Sequence, residues 1–178
     1  MTKDQHMDLI STWKTSNRVT EFFVENLPEK LWNEKLPGMP NRTFRMLLGH
    51  IHNARCMWIK MIGKQYRVKP PKSVDRRRVT RTQLLKALRL SNQSVVDLLS
   101  ASLEHAGKLR MDIPWSNIPP DALHFMTYLM VHEAHHRGQM VLAARQLGHR
   151  LPPVATAGLW QWKLRSKESK KVRRHAGG

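Results

Sequence analysis

The residues most able to do chemistry in this chain are histidines. The stretch MVHEAHHRGQM, residues 130–140, holds His132, His135 and His136. His132 and His136 are four apart, so on an α-helix they project from one face a turn apart, where two imidazoles can share an ion. His135 competes for that role, being three from His132. At ~100° per residue, the positions aligned with the His132–His136 pair are Phe125, Leu129, Ala143 and Leu147, all apolar. His135 falls beside His124, Thr127 and Arg145, which read as solvated. The inward pair is therefore His132 and His136. LLGHIHNARCMW, residues 47–58, offers two more. The same projection sets His50 with Leu47, Ala54, Met57 and Met61, and turns His52 outward toward Asn53 and Lys60.

Three imidazoles from facing helices would leave a coordination position open for water or substrate, the mark of a catalytic rather than a structural site. Imidazole suits zinc, nickel, iron or copper. His132, Glu133 and His136 also match HExxH literally, a spacing in which the glutamate can act as general base. Here Glu133 precedes Arg137 by four, and the expectation is an ion pair on the helix surface. Gln139, three after His136, stays on the site face and could hydrogen-bond a ligand. Tyr128, one turn before His132, could line a pocket. Both types also serve as plain packing residues. Cys56 projects near His52, away from the three-histidine face, and is set aside as a nucleophile.

These side chains must be held by long helices. Periodic apolar stripes run from about Lys3 to Asn26, from Thr43 to Ile62 with Gly63 as its stop, from Thr80 to Gly107, and from Asp121 to Gly148. Thr80 and Gln83 have capping-box spacing. Between the stripes lie LPGMPNR, the basic loop KQYRVKPPKSVDRRRVTR and the irregular KLRMDIPWSNIPP. Strand alternation bounded by hairpin turns and fixed-period repeats are both missing. The expectation is an all-α four-helix bundle over residues 1–162, with a long basic loop, followed by a basic, disordered tail over 163–178 that is dispensable from about Ser166 onward.

Composition sets outer bounds. Of 178 residues, 40% are apolar, which suits one globular domain. One cysteine excludes an intrachain disulfide and suits a reducing compartment. The N-terminal MTKDQHMDLISTWK lacks the apolar stretch of a secretory leader, and no segment has ~18 consecutive apolar residues. A cytoplasmic protein without membrane contact is expected. Lys and Arg number 31 against 13 Asp and Glu, a net charge of +18 that attracts polyanions, including nucleic acid. Weak nonspecific polyanion binding follows from that field, but no nucleic-acid-binding motif accompanies it.

The motifs HEAHHRGQ (132–139), RQLG (145–148) with Pro152 and Pro153, and TFRMLLGHIHNARCMW (43–58) resemble the DinB-like superfamily of metal-binding bundle proteins, over roughly residues 8–160. The resemblance implies a four-helix bundle, often a homodimer, with one divalent transition metal on His50, His132 and His136. Zinc or nickel leads, with iron as a further option. Some members transfer a low-molecular-weight thiol to an electrophilic small-molecule substrate, which makes thiol S-transferase the expected class. A metal-stabilised bundle without catalysis, or a polyanion-binding protein, stands beside it.

Overall fold

The computed structural model of the chain describes residues 2–111, 113 and 115–171. Among these it is mostly helical. α1 spans Lys3–Asn26, α2 Phe44–Ile62, α3 Arg81–Ala101, α4 Ala122–Gln146, α5 Pro153–Gly158 and α6 Trp162–Lys171. No helix among the described residues is long and apolar enough to cross a membrane.

The helix starts follow from side-chain chemistry. Thr2 with Gln5 and Thr80 with Gln83 each form a reciprocal capping box, satisfying two backbone donors at once. Thr43 Oγ1 accepts from the Met46 amide at α2, and Asp121 Oδ1 from the His124 amide at α4. Gly63 closes α2, though by close approach rather than by left-handed backbone. Its φ is −72°, and a Cβ there would lie 2.6 Å from the Val68 carbonyl oxygen. The left-handed residue is Arg67, at φ 57°.

LPGMPNR, which separates the first two helical stripes, contributes to a small antiparallel sheet of β1 (Lys35–Leu36) and β2 (Met39–Thr43), turned at Gly38 with φ 73°. The two strands are too short to show alternation in sequence.

α1 packs against α3, α4, α5 and α6, and α2 against α3 and α4. Their buried apolar residues form two clusters. One gathers Phe23, Leu27, Phe44, Leu48, Leu88 and Met140. The other gathers Trp13, Trp58, Val95, Leu99, Phe125 and Leu129. Along each of α1 to α4 the chain passes from one cluster to the other through buried polar residues: Asn17 and Thr20, Arg55, Ser91, and Glu133 with Arg137. A polar layer therefore crosses the four long helices near mid-height.

The tail expectation is corrected for residues 163–171, which belong to α6. α6 lies along α1, with Arg165 3% exposed and its guanidinium 4.0 Å over the Phe22 ring. Glu168 bridges Arg165 Nη2 at 3.1 Å and Arg18 Nε at 2.8 Å. Arginine can bury its stem and stack its planar head on an aromatic face, so a charged segment offsets its ordering entropy without apolar side chains. Residues 172–178 lie outside the described ones. Deleting the chain from Trp162 onward should cost more than about 1 kcal/mol in urea unfolding, beyond the range of ordinary surface changes. A loss within experimental error would show that α6 is dispensable.

Candidate metal centre

His50 comes from the middle of α2, and His132 and His136 from the facing middle of α4, at the level of the polar layer. The structure brings the three together. His132 Nε2 lies 3.2 Å from His50 Nε2 and 3.1 Å from His136 Nε2. One nitrogen from each of the three falls within 4.8 Å of the others. A ring nitrogen has a single in-plane direction, holding either a proton or a lone pair. His132 Nε2 cannot donate to one neighbour and accept from the other, so hydrogen bonding alone leaves the trio frustrated. A cation satisfies three converging lone pairs together. Zinc–nitrogen bonds of ~2.0–2.1 Å in tetrahedral arrangement put ligand nitrogens ~3.3 Å apart, close to the observed spacing. The trio is thus positioned to hold a metal ion.

The protonation states agree. Burial, followed by the charges of His136, His132, Arg76 and Arg42, pushes His50 down to about 4. Burial is also the main cause that lowers His132 and His136. Neutral imidazole is the metal-ligating form. Gln139 Oε1 accepts from His136 Nδ1 at 2.8 Å, which fixes the proton on Nδ1 and directs the Nε2 lone pair into the trio. Tyr128 stacks on His132 with ring planes 17° apart, and stays 39% exposed at the lip. Trp58 meets Tyr128 and Trp115 with ring centroids 5.4 Å from each, continuing an aromatic wall.

Two expectations about neighbouring residues are corrected. His52 is buried rather than outward. Its Nε2 donates to the Lys72 carbonyl at 3.0 Å and its Nδ1 lies 3.1 Å from Ser91 Oγ. It faces α3 and the basic loop, away from His50. Glu133 is 1% exposed and its main partner is not Arg137. Its Oε1 accepts from Arg55 Nε at 2.7 Å and its Oε2 from Arg55 Nη2 at 2.8 Å. Thr20 Oγ1 donates to Oε2 at 2.7 Å, and Arg137 Nη1 stands 3.9 Å away. Burial raises the Glu133 carboxyl, but the charge and hydrogen bonds of Arg55, followed by the charge of Arg137 and the Thr20 hydrogen bond, more than reverse this, so its pKa is lowered. With both oxygens engaged by Arg55, the carboxylate is an anchor between α2 and α4 and not a free base.

Cys56 is buried, with its Sγ 3.2 Å from His52 Nε2, and burial pushes its thiol up to about 11. It has none of the acidity of a reactive thiol. His135 is exposed on the outside of α4.

Sequence reasoning missed Arg55, Arg42 and Arg76. A lone arginine amid Ala54, Cys56, Met57 and Trp58 was the available signal for Arg55. Arg76, in the basic loop, packs its stem over Gly49, where a Cβ would lie 3.1 Å from Arg76 Cγ. Gly49 thereby admits a guanidinium beside His50.

A search among curated proteins found no match for the chain. The family model described as "DinB family" matches residues 1–170. On that near-complete match, the chain belongs to the DinB family.

Proposed function

We propose that this protein is a metal-dependent thiol S-transferase, built on a four-helix bundle of α1 to α4, with one divalent transition metal on His50, His132 and His136. The observation that carries the reading is the convergence of three Nε2 atoms, two of the spacings being 3.1 and 3.2 Å. Zinc or nickel fits the ligand type first, and iron next. When bound, the cation supplies positive charge that acidifies a small-molecule thiol for attack on an electrophile. Three neutral ligands leave that charge undiminished.

The chain's own residues do the rest. Gln139 holds the His136 ring in its ligating tautomer. Tyr128 offers a flat apolar face to a substrate body and limits water on that side, held from behind by the buried Trp58 ring. Arg42 and Arg76 add positive charge near His50, favouring anionic thiols or conjugates within the ~8 Å over which charge is felt at physiological salt.

The test uses cobalt-substituted protein titrated with low-molecular-weight thiols such as cysteine and glutathione. A sulfur-to-cobalt charge-transfer band is expected, along with turnover of 1-chloro-2,4-dinitrobenzene that disappears on metal removal. Metal bound at one per chain with neither band nor turnover would overturn the transferase reading and leave a metal-stabilised bundle.

A further inference from the structure

A second hollow lies on the opposite side of α4. At ~100° per residue, Ala134, Gly138, Val141 and Arg145 fall on the face turned away from His132 and His136. Together with α1, α5 and α6 this face encloses a cavity of about 500 Å³. That volume is in the range of small-molecule sites. Val141, Leu142, Leu159, Trp160 and Trp162 give it an apolar wall. Leu142 and Trp160 are 57% and 83% exposed, so apolar surface continues to the mouth.

Two guanidiniums enter this apolar space, and no acidic residue lines it. Arg137 is 7% exposed. Its Nη1 donates to Thr20 Oγ1 at 2.6 Å, and its other nitrogens have no hydrogen-bond partner among the described residues. The nearest carboxylate, Glu133, is already held through both oxygens by Arg55. One negative charge thus serves two buried guanidiniums, and the surplus belongs to Arg137. The other buried carboxylate of the polar layer, Glu21, is flanked by Arg18 at 3.8 Å and Arg89 at 3.6 Å, so it does not remove the surplus. Arg145 is exposed at the mouth and makes no ion pair among the described residues.

Gly138 supplies an independent observation. It sits in the interior of α4, where glycine is a poor helix former. A Cβ there would meet nothing within 4 Å, so packing does not require the glycine. It lines the hollow and widens it.

We propose that this hollow binds a small amphiphilic acid, with the apolar body between the tryptophans and α4 and a single carboxylate on Arg137 and Arg145. A carboxylate matches the guanidinium fork, and one charge matches the buried surplus.

The experiment is calorimetric titration of the full-length protein with decanoate below its micellar concentration. Decanol and decyltrimethylammonium are the neutral and cationic controls. The expected result is one decanoate per chain, with both controls at least about tenfold weaker because a charge-assisted bond is lost. Gly138→Leu fills the hollow, leaves the protein's charge unchanged and favours helix, so it should remain folded by circular dichroism. It should weaken decanoate at least about tenfold, whereas Arg145→Gln should weaken decanoate severalfold and leave decanol unchanged. Several equivalents per chain that Gly138→Leu does not affect would mean adsorption to the +18 surface and overturn the proposal. Equal binding of decanol would overturn it too. So would absent decanoate binding together with a change of mass in Gly138→Leu, which would assign the face to a second copy of the chain. Metal content has no part in these readouts, so their failure is distinct from failure of the transferase reading.

Discussion

His132→Ala should reduce the metal bound per chain below about a tenth of that in the unaltered protein, measured by elemental analysis after desalting. Its Nε2 is the central one of the trio, next to both other ligand nitrogens. Loss of a supporting hydrogen bond alone costs a metal site about 10- to 100-fold in affinity, so removal of a ligand should cost more. His50→Ala and His136→Ala should behave alike. Gln139→Ala should fall between, because it frees the His136 ring without deleting it. His135→Ala should retain full occupancy, since that ring is exposed and outside the trio. His52→Ala should lose stability while keeping its metal, because His52 joins α2 to Ser91 and to Lys72 instead. A site emptied by His135→Ala and not by His136→Ala would place the metal on the wrong face of α4.

The second large effect concerns Glu133. Glu133→Ala should destabilise the fold by about 3–5 kcal/mol in urea unfolding, the usual result of leaving a buried charge without its partner. Here the stranded group is Arg55, itself fully buried, with its guanidinium 4.9 Å over the Trp13 ring. The double variant Arg55→Met with Glu133→Leu should recover much of the loss, because it removes one buried charge of each sign and no longer strands Arg55. The sign with pH follows from the lowered carboxyl pKa. A depressed folded-state pKa gives stability that is present above the unfolded value, near 4.5, and is lost as pH falls through the lower folded value. The unaltered protein should therefore lose this contribution only below about pH 4.5, and Glu133→Gln should lack that acid transition. A general base would behave otherwise. Glu133→Gln would then abolish turnover at unchanged stability, and that pattern would refute the anchoring role.

The four long helices could be read from sequence because their signals are local. Capping residues at Thr43, Thr80 and Asp121 lie within a turn of the helices that they start. The angular separation of His136 from His135 is local too, since it depends only on helix periodicity. Readings failed where a partner distant in sequence decides the outcome. Glu133 has a suitable arginine four residues away, yet it pairs with one 78 residues away. His52 looked outward because the apolar face of α2 lies elsewhere. The basic loop covers that outer side and buries it, so the projection had no solvent to find. The charge of α6 suggests a solvated tail in sequence, while Arg165 uses its charge to stack on Phe22. The two-stranded sheet fell below the length at which alternation is visible.

The basic loop, finally, is pinned rather than draped. Val74 and Asn53 exchange two hydrogen bonds, the Val74 amide to Asn53 Oδ1 at 2.9 Å and Asn53 Nδ2 to the Val74 carbonyl at 3.0 Å. Ser94 donates to the Lys69 carbonyl at 3.3 Å. Attachment thus combines loop backbone with the buried side chains of Val68 and Val79 and the partly buried Val74. Arg77 and Arg78 are exposed, and of Arg76 only the stem is held, against Gly49. A lineage could exchange the Arg76 guanidinium for a neutral or acidic end on a stem that still packs over Gly49, and so change which molecules approach His50. The ligand trio and its anchor would meanwhile stay under separate selection. Specificity and scaffold can then evolve on different clocks, and relatives that share the histidines should be expected to diverge first along this loop.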